Sequence, residues 1–242
     1  MNYFHLHLRN ISRGKAVRVI RSSAYISGQR LYDAYFGERY DFSFREDVLY
    51  ANLLLPQNSP AEFEDRTSFW NAVELSEKRA DARTAREITV ALPKELSLEQ
   101  HIDIIKNFVA DNFISKGLGC DIAIHDKGDG NPHAHILINT REITSIGFSP
   151  IKNRELNKTH QLIIWRASYA DLLNRSMERH DIQSRVSHES NFMRGIETDP
   201  TYHLGKRANR LERLGVQTYA GNKNREIVER GISPSMEYTR HR

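Results

Sequence analysis

The stretch from residue 120 to residue 141 most constrains how this chain of 242 residues can fold. Two runs in which apolar and polar residues alternate, 120–125 and 133–139, flank a segment rich in turn-forming residues, 126–132. Alternation with a period of two is typical of β-strands, and Gly, Asn, Asp and Pro mark turns. The stretch therefore predicts a β-hairpin.

Three histidines of this hairpin fall on one face. Strand alternation places His125 on a face with Asp121 and Ala123, and it places His133 and His135 together on the returning strand. If the loop closes symmetrically, His125 lies opposite His133 and the three imidazoles converge. A single histidine would more often be an ordinary polar residue on a solvated face. Three together predict a metal site that leaves coordination positions free for a substrate.

His5 and His7 repeat the His-apolar-His pattern near the N-terminus. No third histidine is predicted to face them across a hairpin. We interpret them as a pair on a strand face, which could still neighbour the metal site.

The remaining periodicity predicts an α+β fold. The predicted strands are 2–9, 48–55 and 85–92 in addition to the hairpin, and the predicted helices are 16–34, 59–79, 97–117, 157–179 and a basic helix ending near 214. Helices would cross over one face of an antiparallel-rich sheet, whose other face carries the histidines and Glu87. No strand is predicted beyond Arg141. Segment 35–46 is predicted to be a loop, whose aromatic residues could either stack on unpaired bases or pin the loop to the domain.

Composition favours a globular protein in a reducing compartment. Apolar residues make up 39% and charged residues 27% of the chain, which is ordinary for a soluble domain. No apolar run is long enough to span a membrane, and the N-terminus lacks the apolar segment of a signal peptide. The single cysteine, Cys120, cannot form an intrachain disulfide, which fits the cytoplasm.

Basic residues are concentrated at the N-terminus. The net charge is only +4, but the first thirty residues contain no acidic side chain and carry Arg9, Arg13, Lys15, Arg18, Arg21 and Arg30. Such a block predicts that a polyanion binds. The predicted contacts are Arg9, Arg13, Arg18 and Arg21, together with Lys206 and Arg207 of the basic helix.

Tyr25 lies beside Arg18 and Arg21 on the flank of the first predicted helix. The two guanidinium groups could stabilise a phenolate or hold a phosphate. The commoner alternative is a half-buried aromatic side chain that covers the edge of the core.

Four sequence motifs together resemble those of one known family. They are His125 with 131–135 (Asn-Pro-His-Ala-His), 23–28 (Ser-Ala-Tyr-Ile-Ser-Gly), 70–93 with its Trp-Asn-Ala-Val-Glu, Ala-Arg-Glu-Ile and Ala-Leu-Pro runs, and 200–205 (Pro-Thr-Tyr-His-Leu-Gly). The combination resembles the MobA/MobL (MOBQ-class) relaxases of mobilisable and conjugative plasmids, which belong to the HUH endonucleases. One departure lies at 185–188, where an acidic residue is expected before His188.

The resemblance covers roughly residues 1–217 and implies a domain organisation. A relaxase domain at 1–217 would combine a β-rich, RRM/ferredoxin-like core at 1–141 with a helical part at 150–217, and a polar tail would follow at 218–242. Longer members of the family continue into helicase- or primase-like regions, which this chain does not contain. We therefore expect a minimal relaxase or a relaxase domain cut from a longer protein.

The resemblance also implies an activity, namely nicking and rejoining of one strand of single-stranded or cruciform origin-of-transfer DNA. Tyr25 would attack the scissile phosphodiester and leave a 3′-hydroxyl and a 5′-phosphotyrosyl link. A divalent metal ion would be held by His125, His133 and His135, with Glu87 orienting one imidazole. Ligation by nitrogen alone suits Mn, Zn, Ni or Co better than Mg. Accessory relaxosome and coupling proteins are further implied partners, in the bacterial cytoplasm.

Other functions stay open on the sequence alone. A replication initiator of the HUH superfamily is possible. A three-histidine zinc hydrolase would use a metal-bound hydroxide in place of the tyrosine and would form no covalent product. A non-catalytic single-strand binder would carry aromatic residues on the sheet face, where this chain has histidines. Tyr32 and Tyr35 are nearby tyrosines that could serve instead of Tyr25.

Overall fold

The structure, a computed structural model, describes residues 4–15, 17–190, 193–195, 201–202 and 204–232. The strands in this part of the chain are β1 (Leu6–Ser12), β2 (Arg30–Asp33), β3 (Glu38–Asp41), β4 (Val48–Leu54), β5 (Arg83–Ala91), β6 (Cys120–His125), β7 (His133–Asn139), β8 (Arg141–Thr144) and β9 (Gly147–Lys152). The α-helices are α1 (Val19–Ser27), α2 (Arg66–Leu75), α3 (Leu98–Asn112), α4 (Thr159–Arg179), α5 (Gly205–Arg213) and α6 (Tyr219–Ile232). The predicted α+β class is confirmed.

A five-stranded antiparallel sheet with the strand order β1-β5-β7-β6-β4 forms the framework. The predicted hairpin, β6 and β7, lies within it, and His125 pairs with His133 while Ala123 pairs with His135. On the other side of β7, Thr89 of β5 pairs with His135. The hairpin and its register were therefore predicted correctly, because alternation and the turn residues are both local signals.

Each face of the sheet packs against its own hydrophobic core. Ile122, Ile124 and Ile136 point to a core that includes α3 and α4. Ala123 and Leu137, which alternate with them, point to a second core that includes α1 and α2. The sheet is therefore covered more completely than predicted, because α1 and α2 shield part of the face that carries the histidines.

Local capping sets the helix starts, although not always where the sequence pattern suggests. Ser97 and Gln100 form the predicted capping box at the start of α3. The box predicted at Ser59 does not start a long helix, because the Ser59 hydroxyl donates to the carbonyl of Pro56 instead. α2 begins after Asp65, whose carboxylate accepts a backbone N–H at 2.7 Å.

The first helix is shorter than predicted. α1 ends at Ser27 because Gly28 adopts a left-handed conformation with φ 64°. The chain then forms the β2–β3 hairpin, so the predictions of a helix to residue 34 and of a loop after it are wrong. Asn71 of α2 holds this hairpin by donating to the carbonyl of Tyr32 and accepting from the N–H of Ala34. Hydrophobic spacing alone contains no information about this contact.

The strands also continue beyond Arg141, where none was predicted. β8 and β9 form a separate hairpin in which Ile143 pairs with Phe148. Gly147, with φ 123°, begins β9 directly after the two-residue turn at 145–146. The ring of Phe148 stacks on Phe63 at a centroid distance of 4.9 Å. Tertiary packing therefore supports two strands whose alternation is too short to be recognised in the sequence.

The chain divides into two compact units, Met1–His188 and Glu189–Arg242. The second unit contains α5 and α6, so the stretch predicted as a polar tail from residue 218 includes a helix. Within this unit the Glu212 carboxylate accepts hydrogen bonds from Thr218 and Arg225. The predicted domain limits at 141 and 217 stay predictions. None of the helices in the described part of the chain is long and apolar enough to cross a membrane.

A buried carboxylate joins α1 and α2 to the sheet. Asp121 of β6 is fully buried, and it accepts hydrogen bonds from Ser23 Oγ of α1 at 2.6 Å and from Trp70 Nε1 of α2 at 2.9 Å. Arg66 Nε, at the start of α2, lies 3.1 Å from both carboxylate oxygens. A carboxylate withdrawn from water is stable only when charged and polar donors replace its hydration.

We expect Asp121→Ala to lower the free energy of unfolding by about 3–5 kcal/mol, because it leaves the Arg66 guanidinium buried without its partner. Chemical denaturation followed by circular dichroism measures the change. Asp81→Ala is the matched control, since Asp81 pairs with Arg79 at the surface, and it should cause no measurable loss. Equal losses for the two variants would show that Asp121 does not anchor the helices.

Candidate functional site

Three imidazoles meet on the sheet face that α1 borders. The ring centroids of His125, His133 and His135 lie 4.7–5.5 Å apart. One nitrogen of each ring lies within 4.8 Å of the corresponding nitrogens of the other two. Among the described residues this is the one group of three or more such donors. His125 is buried and the other two are partly exposed, so the group opens to solvent on the side of β7.

Hydrogen-bond acceptors fix which nitrogen of each ring carries a proton. His125 Nε2–H donates to the carbonyl of Ile26 at 2.6 Å, and His133 Nδ1–H donates to the carbonyl of Asn131 at 2.9 Å. His135 Nδ1–H donates to the Glu87 carboxylate at 2.8 Å. Since these acceptors have no proton to give, the opposite nitrogen of each ring keeps its lone pair. Such outer contacts are what orients imidazole ligands at metal sites.

Burial keeps two of the imidazoles in the form that binds metals. Withdrawal from water lowers the pKa of His125 to about 4 and also lowers the pKa of His133 below its ordinary value. Both rings are therefore neutral near pH 7 and present a lone pair. Three imidazoles with one nitrogen each within 4.8 Å of the others fit a divalent transition metal ion.

Glu87 of β5 lies behind His135, on the same sheet face. Its side chain is 2% exposed and also accepts from Arg9 Nε at 2.6 Å. Burial by itself raises the pKa of this carboxyl, but the contacts with His135 and Arg9 outweigh burial and lower the pKa overall. Glu87 is therefore ionised and in position to orient His135, the role predicted from the sequence.

Tyr25 lies in the last turn of α1, next to the histidines. Tyr25 is 44% exposed, so its exposure alone does not decide between a nucleophile and a half-buried aromatic at the edge of the core. The ring contacts the edge of Phe42 at a centroid distance of 5.4 Å. The following residue, Ile26, provides the carbonyl that binds His125. The backbone beside the candidate nucleophile is thus hydrogen-bonded directly to a candidate ligand.

Arg45 is a site residue that the sequence did not reveal. Its guanidinium lies 3.9 Å from the centre of the Tyr25 ring and donates to the Tyr25 carbonyl at 2.7 Å. Arg45 Nη2 also lies 3.4 Å from His125 Nδ1 and pairs with Asp47 at 2.6 Å. No local pattern marks this residue, because its partners are twenty and eighty positions away. A stacked cation beside a phenol attracts the ring and any phosphate bound near it.

The predicted polyanion contacts differ in their surroundings. Arg21 is exposed, and Arg18 lies over the ring of Phe36 at 3.1 Å from its centre. Arg9 is half exposed despite its contact with Glu87. Arg207 is exposed in the second unit, whereas the side chain of Lys206 lies outside what the structure describes.

The structure contradicts the predicted role of Arg13. The sequence predicts a contact with a polyanion, but this side chain is buried at 8% exposure. Its guanidinium pairs with Glu74 at 2.7 Å and donates to the carbonyls of Glu74 and Arg79. An arginine committed to a buried carboxylate cannot reach a phosphate in solution, so Arg13 joins β1 to the end of α2 instead.

Two other predicted features lie outside the three-histidine group itself, although His7 pairs with Thr89, which pairs with His135 on the next strand. The rings of His5 and His7 stack at a centroid distance of 6.3 Å at the edge strand, as expected for a strand-face pair. Of the motif at 200–205, residues 200 and 203 lie outside the described part of the chain, so its role stays a prediction.

The fold and the site define a class, an α+β protein with a three-histidine group on the face of its sheet. The family model described as MobA/MobL family matches residues 18–214. The chain belongs to the MobA/MobL family, and the resemblance seen in the sequence is confirmed.

Individual relatives support this assignment. The probable mobilization protein MobA of Bifidobacterium longum is 32% identical over 94% of this chain and 47% of its own length. The mobilization protein MobL of Acidithiobacillus ferridurans is 31% identical over 88% of this chain and 64% of its own length. The chain thus spans less than two thirds of these relatives.

A solved structure has the same fold. It comes from work on the molecular basis of vancomycin resistance transfer in Staphylococcus aureus and superposes with a TM-score of 0.73 at 29% identity. The match covers 78% of this chain and 100% of that chain.

Removing one imidazole should weaken metal binding. We expect His135→Ala to lower the affinity for Co²⁺ or Mn²⁺ by a factor on the order of 100 or more, since two nitrogen donors remain. Isothermal titration calorimetry measures the affinity. His160→Ala, an exposed histidine of α4, is the control and should bind as the unchanged chain does. Unaltered affinity in His135→Ala would contradict the assignment of the site.

Glu87→Gln tests the orienting carboxylate. The amide keeps the size of the side chain but loses the negative charge that holds the His135 N–H, so we expect metal affinity to fall by about 10- to 100-fold. Glu99→Gln, at an exposed position of α3, is the control. If both variants bind the metal as tightly as the unchanged chain, Glu87 has no part in preparing the ligand.

Proposed function

We propose that this chain is a relaxase that nicks and rejoins one strand of origin-of-transfer DNA through a covalent 5′-phosphotyrosyl intermediate at Tyr25. The observation that carries the proposal is the link between nucleophile and ligands, in which His125 binds the carbonyl of Ile26, directly after Tyr25. Membership of the MobA/MobL family, and the similarity to two mobilization proteins, support the same function. We assign the relaxase domain to residues 1–217.

In the proposed reaction the Tyr25 hydroxyl loses its proton and its oxygen attacks the scissile phosphorus. The bond from phosphorus to the 3′ oxygen breaks, that oxygen takes up a proton as the 3′-hydroxyl, and the 5′ phosphate stays on Tyr25. The covalent link conserves the energy of the broken ester, so the same residue can rejoin the strand when the steps run backwards.

Positive charge around Tyr25 favours this chemistry. The unperturbed pKa of a tyrosine is near 10, so attack requires a base or nearby cations. Arg45, stacked on the ring, stands closest, and Arg18 and Arg21 belong to the same helical region. A divalent metal ion at the three histidines would polarise the phosphate oxygens and stabilise charge that grows in the transition state. All-nitrogen ligation favours Mn, Zn, Ni or Co over Mg at this site.

We propose that Arg9, Arg18, Arg21 and, from the second unit, Lys206 and Arg207 contact DNA phosphates. Arg13 is withdrawn from this set because Glu74 binds it in the interior. Phe44, which is 74% exposed beside Phe42, is the aromatic of the 35–46 segment that is free to stack on a base, whereas Phe42 packs on Tyr25. Accessory relaxosome and coupling proteins complete the proposed partners.

The test mixes the protein, Mn²⁺ and single-stranded oligonucleotides from candidate origins, and looks for protein–DNA adducts on a denaturing gel. We expect an adduct that survives denaturation and is lost in Tyr25→Phe, because phenylalanine has no nucleophilic oxygen. Tyr32→Phe and Tyr35→Phe are matched controls, since both tyrosines are as exposed as Tyr25, and both should keep the adduct.

Two results would overturn the proposal. Cleavage without an adduct, unchanged in Tyr25→Phe, would favour hydrolysis by a metal-bound hydroxide. Loss of the adduct in Tyr32→Phe or Tyr35→Phe, while Tyr25→Phe still forms it, would show that the nucleophile lies in the β2–β3 hairpin.

A further inference from the structure

Two arginines at the start of β5 converge on one neutral oxygen. Arg86 Nη2 donates to Asn157 Oδ1 at 2.6 Å, and Arg83 Nη1 donates to the same oxygen. Strict alternation would send residues 83 and 86 to opposite faces. A β-bulge, in which Ile11 pairs with Ala85 and Ser12 with Arg83, interrupts the alternation and re-aims Arg83. The sequence separation of the two arginines therefore conceals their proximity.

This pair carries positive charge that no carboxylate of the described residues neutralises. Arg86 is 6% exposed, and neither it nor Arg83 forms an ion pair with an acidic residue in the described part of the chain. The Nε atoms of both are buried without a hydrogen-bond partner. Burial, and secondly the charge of Arg83, lower the pKa of Arg86 to about 10. Buried like charges with unused donors are unfavourable unless an anion supplies acceptors and opposite charge.

Basic clefts open to solvent beside Asn157 and Arg83, the two partners of this group that are not fully buried. Asn157 is exposed and lines a cleft of about 510 Å³ with Lys152 and Arg154. Arg83 and Lys152 line a neighbouring cleft of about 660 Å³. Lys152 also donates to the carbonyl of Arg83 at 2.6 Å. The carboxylates that line the second cleft are already engaged: Glu77 pairs with Arg141 and Lys152, and Asp81 pairs with Arg79.

The arginine pair is separate from the three-histidine group. Thr89 pairs with His135, and Arg83 lies six residues earlier on the same strand, about 20 Å away at the spacing of extended backbone. Arg86 lies on the sheet face of Ile88, which belongs to the core with α3 and α4, whereas the histidines lie on the other face.

We propose that Arg83, Arg86 and Asn157 form a binding site for a phosphate group. Two guanidinium forks around one small ligand match a phosphate, whose several oxygens can accept from both at once. The amide of Asn157 can turn to present its N–H₂ group to the same anion. The phosphate is either a diester of a bound DNA strand or a free phosphate, and the two sources give different results below.

The first experiment follows thermal unfolding of the full chain in inorganic phosphate against chloride at equal ionic strength, with EDTA present to keep metal from the histidines. We expect Tm to rise saturably by a few degrees with phosphate, since a ligand that binds only the folded state stabilises it. In Arg86→Met, which keeps the buried volume, the phosphate-dependent rise should be lost. Arg30→Met, a surface arginine paired with Asp41, should retain the rise.

A rise of equal size in Arg86→Met, or no rise in the unchanged chain, would overturn the site. If Arg86→Met does not fold, as judged by circular dichroism, Arg83→Met, at a partly exposed position, replaces it. The phosphate-dependent rise in Tm should then be lost in Arg83→Met, and a rise of equal size would overturn the site. Neither readout involves Tyr25 or strand cleavage, so a failure of the proposed nicking activity would not affect the result.

The second experiment identifies the source of the phosphate by fluorescence anisotropy with single-stranded oligonucleotides. For a DNA diester, Arg86→Met should weaken binding about 3- to 10-fold and reduce the slope of log K against log salt by about 0.7. For a free phosphate, the oligonucleotide affinity should be unchanged while the phosphate-dependent Tm rise is still lost. A carboxylate ligand instead would be shown by an equal or larger Tm rise with acetate than with phosphate, and would overturn the assignment to phosphate.

Discussion

The buried carboxylate of Asp121 is the constraint on which the rest of the site depends. Its burial requires donors, and these come from Ser23 of α1 and from Trp70 and Arg66 of α2. The same strand, β6, carries His125 four residues later on the same face. Because one strand holds both α1 and a ligand, the tyrosine at the end of α1 is kept beside the histidines. If α1 were not anchored to the sheet, the nucleophile and the ligands would move apart although none of these residues had changed.

Around the histidines, each imidazole has a hydrogen-bond acceptor outside the group. Two backbone carbonyls and one carboxylate accept from the imidazoles, and the remaining nitrogen of His125, Nδ1, lies 3.4 Å from Arg45 Nη2. Arg45 adds a cation next to Tyr25, and Asp47 balances its charge. Charged and polar groups held in fixed positions make electrostatic stabilisation effective, because little reorganisation is then required.

Individual elements of the fold show which features the local sequence pattern predicts and which it does not. The β6–β7 hairpin, its register and the common face of the three histidines were predicted, as was the capping box at Ser97, because each depends on neighbours in the chain. The late start of α2 and the β8–β9 hairpin were missed, since the hydrogen bond to Pro56 and the packing on Phe63 decide them. The end of α1 was missed as well, although Gly28, whose left-handed conformation ends the helix, is a local signal. The basic N-terminal block was over-interpreted at Arg13, whose partner Glu74 is 61 residues away.

The sequence by itself determined the α+β class, the three converging histidines, Glu87 on their face, Tyr25 as the candidate nucleophile and the family. The reason is that strand periodicity and contiguous motifs fix the direction and identity of side chains within a few residues. Only the tertiary structure decided which nitrogen of each ring faces an acceptor, that Arg45 lies beside Tyr25 and His125, that Arg13 is buried, and that Arg83 meets Arg86. Each of these features depends on residues that lie far apart in the chain. Burial and charge determine which of them form contacts, and the spacing of residues in the sequence does not encode either.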